Sequence, residues 1–190
     1  MSYVMPFRLT VCGVSELDSH CAAGVTHVLS ILDPGTPTPA VLEALGPHRR
    51  MELRFDDVVR EHHGYQAPTE ADVEAVLRFG EALLFEQPRG EQHHVLVHCW
   101  MGISRSTASA AILLAQQAPG HERAAFESLY GVRPRCWPNS RMVRFADGLL
   151  GRKGALVDAL EAHKRLILRH HPDIAQLVRD VGRADELPAD

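Results

Sequence analysis

The sequence predicts an α/β fold in which a central, mostly parallel sheet is flanked by helices, with additional helices at the C-terminal end. Three observations point to this class. Short apolar runs alternate with helix-like runs in the first half of the chain. The run at residues 95–97 is apolar without alternation, which is typical of a strand buried on both faces. After Pro119 and Gly120 only helical patterns follow.

The first half of the chain contains three predicted strands with two predicted helices between them. The strands lie at residues 7–12, 26–32 and 50–55, and the helices lie at residues 15–23 and 38–45. Strands and helices in alternation build parallel sheets, because each helix returns the chain to the edge of the sheet at which the next strand begins.

The next predicted element is a helix that follows an irregular polar segment at residues 56–68. Thr69 and Asp72 have the spacing of a capping box, which satisfies free N–H groups at a helix start. Pro88 and Gly90 are predicted to end the helix. One face is predicted to pack on the sheet through residues at helical spacing: Val73, Val76, Leu77, Gly80, Leu83 and Leu84.

The second half of the chain begins with the buried strand, a tight loop and a strongly helical stretch, Arg105–Gln117. Further helices are predicted at residues 122–130, 140–150, 155–169 and 173–181. The third of these carries an apolar stripe that we expect to pack within the domain: Leu156, Leu160 and Ile167. Residues 182–190 are predicted to be a frayed tail.

The size and charge of the chain exclude several classes of protein. The 190 residues are 45% apolar and 23% charged, which fits one globular domain with a core of ordinary size. The net charge of −4 provides no excess of Lys and Arg for a nucleic-acid or anionic membrane surface. The sequence shows neither a signal-peptide plan nor a long apolar run, so we expect a cytoplasmic protein.

The cysteines and paired histidines lack the spacing of disulfide or metal sites. The cysteines are widely spaced and form no C-x-x-C pair: Cys12, Cys21, Cys99 and Cys136. Apart from Cys99, we expect them to be small core residues. The histidine pairs are adjacent in sequence and are expected to be solvated loop or strand-end residues: His62-His63, His93-His94 and His170-His171. We therefore expect no metal and no cofactor.

The most informative segment is H-C-W-M-G-I-S-R-S, which begins at His98. A Cys and an Arg at this spacing mean little alone, since the composition predicts about 0.4 such pairs by chance. Requiring also the preceding His, the Gly and the two Ser residues lowers the chance expectation to about one in 100,000. The segment therefore carries a specific signal.

A tight loop between a buried strand and a helix has the geometry of an anion site. The backbone N–H groups of such a loop can point to one centre, and the helix start adds free donors and the positive end of its dipole. Gly102 permits a backbone conformation that is closed to other residues. We expect Cys99 to be a nucleophilic thiolate beside Arg105, which can hold two phosphate oxygens. The predicted phosphate-binding residues are Trp100, Met101, Gly102, Ile103, Ser104 and Arg105.

This segment matches the signature loop of the cysteine-dependent protein tyrosine phosphatases, in the form typical of the compact dual-specificity subgroup. Residues 23–31 resemble the second strand of that family, and residues 135–139 resemble its Pro-Asn segment. The resemblance covers about residues 8–150. It implies a phosphatase domain at residues 1–150, with residues 151–190 as a C-terminal helical extension that we expect to pack on the same domain.

The resemblance also implies a carboxylic acid that protonates the leaving oxygen and then takes a proton from the attacking water. Leu53, Phe55 and Asp57 alternate as in the family's strand that ends on this acid, so Asp57 is the first candidate. Asp56 is the second candidate. Asp72 is a lesser one, because its place in the capping box already gives it a structural role.

Three further residues take roles by the same resemblance. Ser106 would offer its hydroxyl to Cys99 and help the thiol to leave phosphocysteine, while also satisfying N–H groups at the helix start. Asn139 would support the signature loop, or else cap the helix that begins near Ser140. His98 would hold the loop, or else pack at the strand end for structural reasons.

The function implied by the resemblance is hydrolysis of phosphotyrosine, with phosphoserine and phosphothreonine as further substrates, through a phosphocysteine intermediate. The expected partner is a phosphorylated protein or peptide, with no nucleic acid and no membrane, and the oligomeric state stays open. Two alternatives remain: a phosphatase of phosphoinositides or other small phosphates, and a phosphate-binding module without turnover. The apolar Trp100, Met101 and Ile103 favour an aryl phosphate.

Overall fold

The fold is built around a four-stranded sheet. The structure, a computed structural model, describes residues 5, 7–21, 24–85 and 92–188. The strands are β1 (Arg8–Gly13), β2 (His27–Leu32), β3 (Arg49–Arg54) and β4 (His94–Cys99), in the order β1-β4-β2-β3. All three pairings are parallel, so the predicted α/β class is confirmed and the sheet is parallel throughout rather than mostly.

Helices cover the sheet on both faces. Within the described ranges they are α1 (Leu17–Cys21), α2 (Val41–Ala44), α3 (Glu70–Phe85), α4 (Arg105–Gln117), α5 (Glu122–Val132), α6 (Ser140–Leu149), α7 (Ala155–His170) and α8 (Ile174–Asp180). Short 3-10 turns occupy Val14–Glu16 before α1 and Ala184–Glu186 after α8.

The two central strands and α4 form the middle of the core. Every residue of β2 and β4 is buried, and for β4 the unbroken apolar run at residues 95–97 predicts this. One face of the sheet packs on α1 and α2, and the other packs on α4, with α3, α5 and α6 around it. α7 packs in turn on α5 and α6 through the predicted apolar stripe, whose side chains are fully buried: Leu156, Leu160 and Ile167.

Two predictions about helices are wrong in detail. The helix predicted at residues 38–45 is shorter, because α2 has only four residues. Thr38 lies outside it and contacts β3, where its hydroxyl donates to Glu52 Oε2 at 2.8 Å. Leu84 is 48% exposed, because a helical residue next to the buried Leu83 points about 100° away from it. The predicted helix end at Pro88 and Gly90 lies outside the described residues.

The C-terminal segment departs most from prediction. Residues 182–190 were expected to fray, yet Arg183 and Glu186 are buried and paired, with Arg183 Nε donating to Glu186 Oε2 at 2.6 Å. Glu186 also accepts hydrogen bonds from Trp137 Nε1 and from the backbone N–H of Ser140, each at 3.3 Å. The polar composition of this segment predicted exposure to solvent, but charged side chains can be buried when they are paired with hydrogen-bonding partners.

One of the histidine pairs is also placed differently from the prediction. His93 and His94 lie at a strand end, since His94 is the first residue of β4 and His93 precedes it, but both are buried rather than solvated. The His94 ring hydrogen-bonds Thr10 Oγ1 at 2.9 Å, and the His93 ring meets the His27 ring edge-on with centroids 4.5 Å apart.

In the described ranges, no three His, Cys, Asp or Glu side chains are grouped to hold a metal ion. None of the described helices combines the length and the apolar character needed to cross a membrane.

Candidate active site

The signature loop, defined as residues 99–105, joins β4 to α4 at the carboxyl edge of the sheet. Ligands of parallel sheets bind at this edge, because strand ends and helix N-termini meet there. Cys99 is the last residue of β4 and Arg105 is the first of α4. Both are nearly covered, with exposed fractions of 2% and 3%, so the thiol and the guanidinium lie deep in the site.

The backbone of the signature loop has its acceptors occupied and its donors free. The carbonyl oxygens of residues 100–104 all accept hydrogen bonds, and the donors include the backbone N–H groups of Val14, Trp137 and Ala108, the hydroxyl of Thr107 and the guanidinium of Arg133. None of the N–H groups of residues 100–104 donates to a residue that the structure describes. A loop with this polarity offers its donors to an anion.

Two glycines allow the signature loop to touch the end of β1. Gly102 has φ 70°, and a Cβ added there would lie 2.5 Å from the backbone N of Gly13. A Cβ added to Gly13 would lie 2.9 Å from the carbonyl carbon of Met101. Neither position has room for a side chain, and the special conformation predicted for Gly102 is confirmed.

Glu16 and Arg133 brace the outside of the loop, and neither was predicted. Arg133 Nη1 and Nη2 donate to the two carboxylate oxygens of Glu16, each at 2.9 Å, and its Nε donates to the carbonyl of Gly102 at 3.1 Å. Glu16 Oε2 also accepts from the backbone N–H of Gly13 at 2.6 Å. The hydrogen bonds from Arg133 lower the pKa of Glu16. The brace therefore ties the loop to the residues that follow β1.

The predicted nucleophile and cation sit beside their expected neighbours. Cys99 Sγ and Ser106 Oγ are 3.1 Å apart. Arg105 Nη1 donates to the carbonyl of Phe55 at 2.6 Å and lies 2.6 Å from Asp33 Oδ1, a residue absent from the predicted site. Arg105 Nε is buried and has no hydrogen-bond partner among the described residues. The side chain is thus fixed at one end while a donor stays free for a ligand.

Among the candidate acids, Asp57 is the one hydrogen-bonded to the signature loop. Its Oδ1 accepts from Ser104 Oγ at 2.7 Å, and Asp57 lines the same pocket as Cys99. Asp56 also lines the pocket, but its Oδ2 accepts a hydrogen bond from the backbone N–H of Gln66 at 2.7 Å. This contact links the two ends of the segment at residues 56–66. The third candidate, Asp72, hydrogen-bonds Thr69 in the predicted capping box and is not among the pocket residues.

Asn139 combines the two roles that the sequence left open. Its Oδ1 caps α6 by accepting the N–H groups of Arg141 at 3.1 Å and Met142 at 3.2 Å. Its Nδ2 donates to Asp57 Oδ1 at 3.0 Å, and its backbone N–H contacts the carbonyl of Ser104 at 3.4 Å. The N-cap therefore also connects the acid to the signature loop.

His98 bonds to the neighbouring strand. Its Nε2 and Ser30 Oγ are 2.7 Å apart, which links β4 to β2 beneath the site. Burial lowers the pKa of His98 to about 4, because the imidazolium would be poorly solvated there. His98 is therefore neutral at pH 7 and contributes packing and a hydrogen bond rather than a charge near Cys99.

A pocket of about 730 Å³ opens above the signature loop. One wall is the segment from Asp56 to His62, and another comes from the C-terminal extension, through Leu177, Val178, Val181 and Arg183. The pocket lining includes four large apolar side chains that are about half exposed: Tyr65, Trp100, Met101 and Val181. A polar floor with an apolar rim suits a ligand that carries an anionic group on an apolar body.

No protein-family model and no curated protein matches this chain. Solved structures do match. Human DUSP28 aligns with a TM-score of 0.53 at 18% identity, over 76% of this chain and 94% of that one. PTPMT1 in complex with PI(5)P aligns with a TM-score of 0.53 at 17% identity, over 78% and 93%. The human tyrosine phosphatase-like serine/threonine/tyrosine-interacting protein aligns with a TM-score of 0.51 at 22% identity, over 77% and 93%.

Proposed function

We propose that this chain, which has the fold of the compact dual-specificity phosphatases, hydrolyses phosphotyrosine in proteins or peptides through a phosphocysteine intermediate, with phosphoserine and phosphothreonine as further substrates. The observation that carries the proposal is the signature loop, whose N–H groups at residues 100–104 are free around the buried Cys99 and Arg105. A phosphoryl group requires such donors, because its negative charge spreads over its oxygens during transfer.

In the first step, the thiolate of Cys99 attacks phosphorus, and the bond from phosphorus to the leaving oxygen breaks. The N–H groups of residues 100–104 and the guanidinium of Arg105 hold the equatorial phosphoryl oxygens. Asp57 delivers its proton to the leaving oxygen, so that the product is a neutral phenol or alcohol rather than an oxyanion. Phosphocysteine and ionised Asp57 remain.

In the second step, water attacks phosphocysteine, and the sulfur–phosphorus bond breaks. Asp57 takes a proton from the water, which restores its acid form. Cys99 leaves as a thiolate and accepts a hydrogen bond from Ser106, whose Oγ is 3.1 Å away. Inorganic phosphate is the second product, and the enzyme returns to its starting protonation state.

The pocket rim supports an aryl phosphate over a polyanionic ligand. Trp100 and Met101 directly follow Cys99 in the sequence and line the pocket, where they are 58% and 49% exposed. A phenyl ring would pack against them. The signature loop has no Lys or Arg between Cys99 and Arg105 to bind further phosphate groups.

The test is steady-state hydrolysis of phosphotyrosine and phosphothreonine peptides and of a phosphoinositide, with Cys99→Ser as the blank. The proposal expects turnover on phosphotyrosine that the variant lacks. Turnover confined to the phosphoinositide would contradict the protein substrate. Absence of turnover on all three, with inorganic phosphate still bound in calorimetry, would contradict an enzyme and favour a phosphate-binding module.

A further inference from the structure

The C-terminal extension places an arginine on the candidate general acid. Arg183 Nη1 donates to Asp57 Oδ1 at 3.2 Å and to Ser104 Oγ at 2.6 Å. Ser104 Oγ in turn donates to the same carboxylate oxygen at 2.7 Å. The Arg183 side chain is only 6% exposed, whereas the Asp57 side chain is 33% exposed. One guanidinium thus connects the acid to the signature loop.

Arg183 is held in this position by the extension itself. Its Nε donates to Glu186 Oε2 at 2.6 Å, and its backbone N–H donates to the carbonyl of Val178 at 2.9 Å. The carboxylate of Glu186 is fixed in turn by Trp137 Nε1. A side chain anchored in this way loses little further conformational freedom when it binds Asp57.

The three donors to Asp57 leave one of its oxygens free. Ser104, Asn139 and Arg183 all donate to Oδ1, and no described residue donates to Oδ2. An oxygen that already accepts three hydrogen bonds has no lone pair left for a proton. The transferred proton is therefore carried by Oδ2, and the donors fix the plane of the carboxyl group.

From these contacts we infer that Arg183 is a positioning residue for the phosphatase reaction. This inference rests on the function proposed above. Arg183 holds Asp57 Oδ1, aligns Oδ2 with the leaving oxygen, and stabilises the carboxylate that remains once the proton has left. Among the three donors Arg183 is the charged one, so its contribution is greatest when Asp57 carries its negative charge. The extension is thereby part of the active site.

The test compares two substrates that differ in their need for a proton. Phenyl phosphate has a poor leaving group, whereas the leaving group of 2,4-dinitrophenyl phosphate departs unprotonated. Arg183→Gln is expected to lower kcat/KM, which reports the steps up to formation of phosphocysteine, by roughly 10- to 100-fold on phenyl phosphate, as part of the general-acid contribution, and to change kcat/KM on the dinitrophenyl ester by less than about threefold. Arg183→Lys is expected to restore part of the loss. The matched control is Arg179→Gln, since Arg179 is exposed on α8 and is not among the pocket residues.

A double-mutant cycle with Asp57→Asn separates positioning from a general structural role. If Arg183 acts through Asp57, Arg183→Gln has no further effect on kcat/KM for phenyl phosphate once Asp57→Asn is present. Equal losses of kcat/KM on both esters, or effects that multiply in the double variant, would overturn the inference, as would an unchanged kcat/KM on phenyl phosphate. If the wild-type chain shows no Cys99-dependent turnover on either ester, the proposed function fails, and the role of Arg183 in that reaction fails with it.

Discussion

The two sides of the pocket are built in opposite ways. On the nucleophile side, Cys99 and Ser106 are in contact across a sequence separation of 7 residues, within one strand, loop and helix. On the acid side, Asp57 is held by Ser104, Asn139 and Arg183, at separations of 47, 82 and 126 residues. The proposed nucleophile is thus specified by a local motif, and the proposed acid is positioned by groups that only the complete fold brings together.

This difference predicts how each side responds to change. The signature loop is held by the end of β1, by the brace of Glu16 and Arg133, and by the backbone N–H of Trp137. Changes that leave these contacts intact should therefore affect it little. The acid side depends on the loop after β3, on the start of α6 and on the C-terminal extension, each of which can shift separately. Substitutions at distant positions are therefore expected to affect proton transfer before they affect phosphate binding.

The largest expected effect is on the nucleophile side. Cys99→Ser should lower kcat on 4-nitrophenyl phosphate by at least about 10⁴-fold, because a serine hydroxyl is a far weaker nucleophile than a cysteine sulfur. Calorimetry should still detect binding of inorganic phosphate, since the N–H groups of the loop and Arg105 are unchanged. Loss of phosphate binding in this variant would show that the loop is not organised independently of its thiol.

The next effect tests the acid side. Asp57→Asn should lower kcat on a phosphotyrosine peptide by about 10²- to 10⁴-fold, because the amide cannot supply the proton. Asp56→Asn is the matched control, since the Asp56 carboxylate bonds to the backbone of Gln66. Stopped assays of released phosphate measure both variants. A larger loss in Asp56→Asn would reassign the acid by one position.

A third experiment tests how tightly the nucleophile side is packed. Gly102→Ala should reduce the free energy of unfolding by about 3 kcal/mol, because the new Cβ combines a left-handed backbone with a backbone clash. Gly120→Ala is the control, since Gly120 has φ 80° but an added Cβ would meet nothing within 4 Å. That variant should lose only about 1 kcal/mol, from backbone conformation alone. Equal losses in urea unfolding would show that contact with β1 does not constrain the loop.

The smallest expected effect is the loss of free energy of unfolding as the pH falls, which can be measured separately for a histidine next to Cys99 and for one in α7. Burial lowers the pKa of His98, beside the nucleophile, and of His163, in α7, to about 4 each. The unfolded chain binds protons below about pH 6.5, where the folded chain does not, so stability falls as pH falls. The expected loss between pH 7 and pH 5 is about 2 kcal/mol for each histidine.

Urea unfolding across this range measures the slope, and His98→Gln and His163→Gln should each remove about half of it. Between pH 7 and pH 5 the two glutamates with lowered pKa values, Glu16 and Glu52, contribute little to this slope, because they take up protons mainly at lower pH. An unchanged slope in either variant would show that the corresponding imidazole has the same pKa in the folded and the unfolded chain.

Sequence reasoning was most successful where structure is local. The strands were predicted within two residues at each end, because an apolar run bounded by turn residues identifies a strand without knowledge of its partners. The signature loop was found for the same reason, since all its groups lie on one short segment. Gly102 was expected to need a special conformation, and its φ of 70° confirms this.

The residues that were missed all act over long distances in sequence. Asp33, Glu16 and Arg133 lie near the signature loop only because the sheet and α5 bring them there. Arg183 belongs to a polar segment that was predicted to fray. No local pattern distinguishes a buried, paired arginine from a solvated one, because the difference lies entirely in the tertiary partners.

The distance along the chain between Cys99 and Arg183 also imposes an order in time. A ribosome adds about 5–20 residues per second, and N-terminal parts fold first, so the strand, loop and helix that carry the nucleophile are made several seconds before the extension. A nascent chain at that stage can present the thiol but lacks the arginine that holds the acid. Translation arrest or proteolysis before residue 183 would therefore leave a chain in which Asp57 keeps only its hydrogen bonds with Ser104 and Asn139.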